Sequence, residues 1–223
     1  MKPKDLKSVY CFEERQPLIQ ERVLHIPHYF SEHKQFMFPS WVEIFGNDHP
    51  VIVEFCSGNG HWVVEKAKKF PEKNLVAVEI QFERVRKIWS KRENEKLDNL
   101  FIVYGEAWTF SHYYLRDDSV IGVYINFPDP WPKRKHEKHR LIKHRLIVEL
   151  SRVLKQGGEI HFMTDDRNYL EATLKLLLQA TSFKCGYNVP HFVSEAPNYG
   201  TSCFEMLWRS LGKQIHYTKF LKT

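Results

Sequence analysis

Long hydrophobic runs are missing from this chain of 223 residues. No stretch approaches the roughly 18 apolar residues a membrane-spanning helix needs, so no membrane partner is expected. Cysteine is scarce: Cys11, Cys56, Cys185 and Cys203 lie far apart, with no C-x-x-C pair. That spacing excludes a zinc knuckle and a disulfide framework, and suits a reducing cytoplasm. The twelve histidines include no H-E-x-x-H, so no metal site is expected. Lys2, Lys4 and Lys7 are not followed by an apolar segment, and a secretory leader is therefore not expected. Repeats, linkers and low-complexity tracts are also lacking. What is there, 43% hydrophobic and 27% charged residues, is the composition of a folded domain.

Charge imbalance is absent from most of the chain. The net charge is +6, and the stretch from Lys133 to Arg145 alone holds seven lysines and arginines against one acid, Glu137. The whole excess therefore sits in thirteen residues, with His136, His139 and His144 among them. A local polycation on a neutral body points to a polyanionic partner or to a solvated helix face.

Short apolar runs alternate with helical patterns. Val51–Phe55, Leu75–Ile80, Leu100–Tyr104, Val120–Phe127 and Glu159–Met163 read as strands without polar alternation, as parallel strands covered on both faces do. His61–Phe70, Phe82–Leu97, Ala107–Leu115, Glu171–Ala180 and a long stretch from about Lys138 to Leu154 read as helices. The last is expected to stop at Gly157-Gly158. The tail from Phe204 to Phe220 is expected to give two antiparallel strands. This order predicts a doubly wound α/β sheet whose ligands gather at the carboxyl ends of the strands. Residues 1–40 lack the rhythm and read as an extension packed on a domain spanning 41–223.

The chemistry concentrates at those strand ends. The first strand leads into Glu54-Phe55-Cys56-Ser57-Gly58-Asn59-Gly60, a turn whose glycines let a ligand approach the backbone before a helix. It is not a dinucleotide fingerprint, because the third glycine position is Val63 and an acid precedes the loop. Such an acid suits a ligand carrying an ammonium and a sulfonium. Glu79 ends the second strand, where a carboxylate can accept both hydroxyls of a ribose. Glu106 and Ala107 follow the third strand. After the fourth comes Asn126-Phe127-Pro128-Asp129-Pro130-Trp131-Pro132-Lys133, in which Asp129 is held between prolines that bias each preceding residue toward extended geometry. Thr164-Asp165-Asp166 follows the fifth.

The run Phe127-Pro128-Asp129-Pro130-Trp131-Pro132-Lys133-Arg134-Lys135-His136 resembles the signature of the bacterial tRNA (guanine-N7-)-methyltransferases. The resemblance extends from about Trp41 to the C-terminus, through Val53-Glu54, Val78-Glu79, Met163-Thr164-Asp165 and Phe204-Glu205. It implies the class I methyltransferase (Rossmann-like) fold: a seven-stranded, mostly parallel sheet with helices on both faces and an antiparallel C-terminal hairpin. It also implies S-adenosyl-L-methionine as cofactor and tRNA as partner. The activity implied is methyl transfer to N7 of guanine-46 in the variable loop. By motif, Glu54, Gly58, Gly60, Glu79, Glu106, Ala107 and Asp129 correspond to cofactor-binding positions, and Asp129 also to the proposed catalytic residue. Lys133, Asp165, Thr201, Ser202, Phe204 and Glu205 correspond to substrate-binding positions. Lys135, His136, Lys138, His139 and Arg140 fall in the RNA-contacting patch.

The chain departs from the family pattern in three places. Cys56 stands where the first glycine is usual, Glu106 replaces an aspartate, and the Thr-x-Phe/Tyr-Glu motif reads Ser202-Cys203-Phe204-Glu205 after Thr201. Whether Thr201 or Ser202 supplies the hydroxyl is left open. Two other readings stand beside this one. An RNA methyltransferase acting on an exocyclic amine would carry an Asn/Asp-Pro-Pro-aromatic loop here, which Asn126-Phe127-Pro128-Asp129 interrupts. An RNA-binding module with a degenerate cofactor pocket would not need Glu54, Gly58, Gly60 and Glu79.

Overall fold

The computed structural model describes residues 1–9, 16–28, 31–197, 199–200 and 202–223, so Thr201 lies outside the described residues. The chain divides into two compact units, Met1–Leu115 and Arg116–Thr223.

The first unit contains strands β1 (Leu18–Gln20), β2 (Val23–His25), β3 (Val51–Phe55), β4 (Asn74–Glu79) and β5 (Leu100–Tyr104). Its helices are α1 (Trp41–Phe45), α2 (His61–Lys69), α3 (Phe82–Glu95) and α4 (Ala107–Tyr113). The strand order is β1-β2-β5-β4-β3, parallel throughout except for the β1–β2 pair. All six residues of β4 are buried, as expected for a strand covered on both faces. Helix α3 turns Val85, Ile88 and Trp89 inward, an i, i+3, i+4 stripe that predicts its orientation. The first forty residues supply β1 and β2, two strands the sequence pattern did not show. Phe38 from the same region packs edge-on against Phe110 and Tyr114, with ring centroids 6.0 Å from each.

The second unit contains β6 (Val120–Asn126), α5 (His144–Val153), β7 (Leu154–Thr164), α6 (Arg167–Gln179), β8 (Phe183–Cys185), α7 (Cys203–Ser210) and β9 (His216–Lys222). Its order is β6-β7-β9-β8, with β6 and β7 parallel and β9 antiparallel to both neighbours. The strands of the described residues number nine against the expected seven, β1 and β2 being the additional pair.

Two expectations are corrected here. The basic run is not the start of one long helix. Arg134–His139 forms a short 3₁₀ helix, and α5 begins only at His144. Nor do Gly157 and Gly158 end a helix. α5 stops because Leu154 turns extended and pairs with Val120, leaving the glycines inside β7. There Val120 faces Leu154 while Gly122 faces Glu159, so the glycines sit in a bulge. A Cβ at Gly158 would lie 2.8 Å from the Lys155 carbonyl oxygen. In the tail, Cys203–Ser210 is helix α7 rather than a strand, because Ser202 caps it by accepting the Glu205 N–H at 3.0 Å. The antiparallel partner of β9 at the sheet edge is β8.

On the β7–β9 ladder, His161 Nε2 meets Glu159 Oε2 at 2.7 Å, and Lys219 Nζ approaches Glu159 Oε1 at 3.3 Å. The hydrogen bond from His161, with the charges of His161 and Lys219, lowers the Glu159 carboxyl from 4.5 to about 2. Because the folded value lies below the unfolded one, the stabilisation is fully present above pH 4.5 and fades as pH falls toward 2. Urea unfolding of wild type and Glu159→Gln across pH 2 to 5 should therefore show a stability gap that is largest near pH 5 and closes toward about pH 2.

Candidate active site

In the first unit the turn after β3 is built on one carboxylate. Glu79, at the carboxyl end of β4 and 4% exposed, accepts the Gly58 N–H on Oε2 at 2.8 Å. Its Oε1 accepts the N–H groups of Ile80 and Gln81, each at 2.9 Å. Burial raises the Glu79 pKa, and the three N–H donors with Arg84 at 3.9 Å pull against that rise. The turn itself needs left-handed backbone at Cys56, Gly58 and Gly60, whose φ values are +60°, +55° and +73°. Cys56 therefore adopts the left-handed conformation that favours glycine. Gly60 ends the turn as the N-cap of α2. A Cβ there would lie 2.7 Å from Ile88 Cγ1, so both its φ and its packing require glycine. Glu54 is buried next to the turn, at 2% exposure, and its carbonyl accepts the Ser57 hydroxyl at 3.0 Å.

Glu106 and Ala107 open α4 at the end of β5. Glu106 Oε2 accepts both the N–H and the hydroxyl of Thr109, at 2.7 and 2.9 Å, so this acid caps its helix. Glu54, Gly58, Gly60, Glu79, Glu106 and Ala107 thus lie at the carboxyl ends of three strands, β3, β4 and β5, of one unit.

In the second unit the loop after β6 is strained. Phe127 and Trp131, each preceding a proline, take φ of +48° and +45° rather than the extended geometry expected from sequence. Phe127 is held by its N–H bond to the Met163 carbonyl at 2.9 Å, and Trp131 by stacking on His136 at 5.9 Å. Two such residues store about 1–3 kcal/mol each, a cost typical of functional loops. Between them Asp129 is exposed while Pro128 is buried.

The basic segment divides by exposure. Lys133, Lys135, Lys138 and His139 are exposed, and His136 is half-buried against Trp131. Arg140 differs from the expectation of an RNA contact. Its side chain is only 11% exposed, its Nε donates to the Pro130 carbonyl at 2.8 Å, and its guanidinium lies 5.1 Å from the Tyr169 ring. It braces the loop from behind. Asp165 is ion-paired, with Lys213 Nζ 2.5 Å from Oδ2. Ser202 spends its hydroxyl on the α7 cap, and Phe204 lies 6.4 Å from Phe127. Glu205, 7% exposed, accepts the Tyr217 hydroxyl at 2.5 Å and Arg209 Nε at 3.0 Å, both on Oε1. Tyr217 and Arg209 carry no motif signal, and the sequence did not reveal them. No group of three His, Cys, Asp or Glu able to hold a metal occurs among the described residues. Among them, too, no helix is long and apolar enough to cross a membrane.

Solved structures share this architecture. A SAM-dependent methyltransferase from Aquifex aeolicus aligns over 82% of this chain and 87% of its own, at TM-score 0.56 and 15% identity. The 16S rRNA methyltransferase KamB aligns over 84% and 95%, at TM-score 0.63 and 13% identity. The fold is therefore the class I, Rossmann-like methyltransferase fold. A family model described as "Putative methyltransferase" matches residues 48–218. The tRNA (guanine-N(7)-)-methyltransferases of Chlamydia abortus and Chlamydia trachomatis are 48% and 47% identical to this chain, over 100% of it and 98% of each relative. That of Exiguobacterium is 31% identical over 90% and 93%. The chain belongs to the tRNA (guanine-N(7)-)-methyltransferase family.

The turn makes a direct prediction. Gly60→Ala must place a side chain at φ +73° and 2.7 Å from Ile88. Denaturant unfolding should show a loss of about 2–4 kcal/mol, from backbone strain together with overpacking.

Proposed function

We propose that this protein transfers the methyl group of S-adenosyl-L-methionine to N7 of guanine-46 in the tRNA variable loop, in the cytoplasm. The observation that carries the reading is the full-length relationship to enzymes of that name, at 48% identity. The built turn around Glu79 supports it. The residues fit the cofactor: buried acids that can accept from its ammonium and ribose hydroxyls, and glycines where its approach needs bare backbone. In this reading Glu54, Gly58, Gly60, Glu79, Glu106, Ala107 and Asp129 hold the cofactor. Lys133, Asp165, Thr201, Ser202, Phe204 and Glu205 contact the substrate. Residues 41–223 form the catalytic domain and 1–40 its extension.

When bound, the cofactor supplies a methyl group made electrophilic by its sulfonium. Guanine N7 presents a lone pair at neutral pH, so no side chain has to remove a proton first. The protein's task is to align the base and to meet the positive charge that appears on it. Positioning of this kind is worth up to about 7–11 kcal/mol. Asp129 is the carboxylate suited to the charge: exposed, on a loop whose backbone is fixed at both ends. Its role is electrostatic rather than that of a general base. Trp131, 37% exposed, offers a stacking face for RNA. Lys135, His136, Lys138 and His139 meet phosphate, with Arg140 as their brace.

The exocyclic-amine reading is disfavoured by the loop after β6, where Asn126-Phe127-Pro128-Asp129 interrupts the Asn/Asp-Pro-Pro-aromatic motif.

Nucleoside mass spectrometry of unmodified tRNA incubated with enzyme and cofactor should yield N7-methylguanosine. N6-methyladenosine, or no methylated nucleoside, would overturn the proposal. In the basic segment, Lys135→Gln with Lys138→Gln should weaken tRNA binding and flatten its log–log salt dependence by up to about two units. Calorimetric affinity for the cofactor should stay at the wild-type value.

A further inference from the structure

Glu205 is gripped from one side. Its Oε1 receives the Tyr217 hydroxyl at 2.5 Å and the Arg209 Nε at 3.0 Å. Arg209 Nη2 also donates to the Tyr217 oxygen at 3.1 Å, which closes a triangle of three side chains. Arg209 is further anchored by Glu195 at 3.0 Å. The second carboxylate oxygen, Oε2, is buried and has no hydrogen-bond partner among the described residues. A carboxyl oxygen stripped of water and left without donors is costly, and N–H donors brought by a bound ligand would offset that cost.

We infer that Tyr217 is a positioning residue for base selection: it fixes the Glu205 carboxylate so that Oε2 is presented to the N–H donors of the substrate base. This rests on the reading of Glu205 as a substrate contact. One donor on Oε1 would leave the carboxylate free to turn about its terminal bond, whereas two donors from different elements, β9 and α7, set its plane. Tyr217 is suited to this because it stands on a strand paired through six consecutive residues with β7, Met163 opposite it. Arg209 lies one helical turn from Glu205 on α7 and moves with it, so Tyr217 is the reference point that does not. Guanine offers adjacent N1–H and N2–H donors to a carboxylate so placed, and hypoxanthine, which keeps N7, lacks the N2 amine.

The test compares kcat/KM on tRNA carrying guanine and on tRNA carrying inosine at the target position. Wild type should prefer guanine. Tyr217→Phe, which keeps the ring and removes the hydroxyl, should shrink that preference about tenfold, the scale expected for losing a hydrogen bond to a charged group. Added to Glu205→Ala, the same substitution should change nothing further, because its path is then gone. Arg209→Lys reads the same carboxylate from its other donor and should shift the preference in the same direction. A folded Tyr217→Phe enzyme with the wild-type preference overturns the inference, and so does a wild type that methylates both tRNAs equally. A wild type that methylates neither overturns the proposed function itself.

Discussion

The carboxylate of Glu79 sets the terms for the turn after β3. With both oxygens on backbone N–H groups, it joins Gly58, from the loop that follows one strand, to Ile80 and Gln81, which follow the next. Parallel neighbours ordinarily share only their ladder, and their carboxyl ends splay into independent loops. Here the loop ends are bonded through a side chain nearly out of reach of water. The positive φ values at Cys56, Gly58 and Gly60 are the backbone's answer to that fixed point. Gly60 must then fit under Ile88 of α3, the helix that Glu79 itself introduces. One acid therefore orders a turn, two helix starts and the spacing between them.

The second unit solves a comparable problem with strain in place of burial. Its proline loop has φ near +45° at two aromatic residues, which the sequence alone would place in extended backbone. Arg140 and the Met163 carbonyl hold the loop's two ends. Between these fixed points Asp129 keeps its exposure, as a group meant to meet a ligand must. The polycation that follows is stiffened by the same contacts, since Trp131 stacks on His136 and Arg140 reaches back to Pro130.

The parallel strands and most helices were legible because their signals are local and periodic: Val-rich runs, the Gly58–Gly60 turn, the Val85, Ile88 and Trp89 stripe. The acids at the strand ends were legible because buried charge demands a reason. What escaped detection depends on partners distant in sequence. Gly157 and Gly158 look like a helix stop until Leu154 finds Val120. Arg140 looks like a surface cation until Pro130 and Tyr169 enclose it. The Phe204–Phe220 tail reads as strands, and α7 stands at its start because Ser202 caps it. Tyr217 has no pattern at all, because its meaning comes from Glu205 twelve residues earlier and from the β7 register.

The place of β9 in its sheet bears on the order in which the chain can fold during synthesis. The first unit has all five of its strands by Tyr104. In the second, β9 is the last strand in sequence yet lies between β7 and β8, and β8 pairs with it. While residues 216–222 are still within the ribosome, β7 exposes one long edge and β8 has no ladder to join. An emerging chain thus carries an open-edged β6–β7 pair, the kind of edge that recruits chaperones or stray strands. Translation rate over the final third of the message, rather than the stability of the finished sheet, then sets how long that hazard lasts.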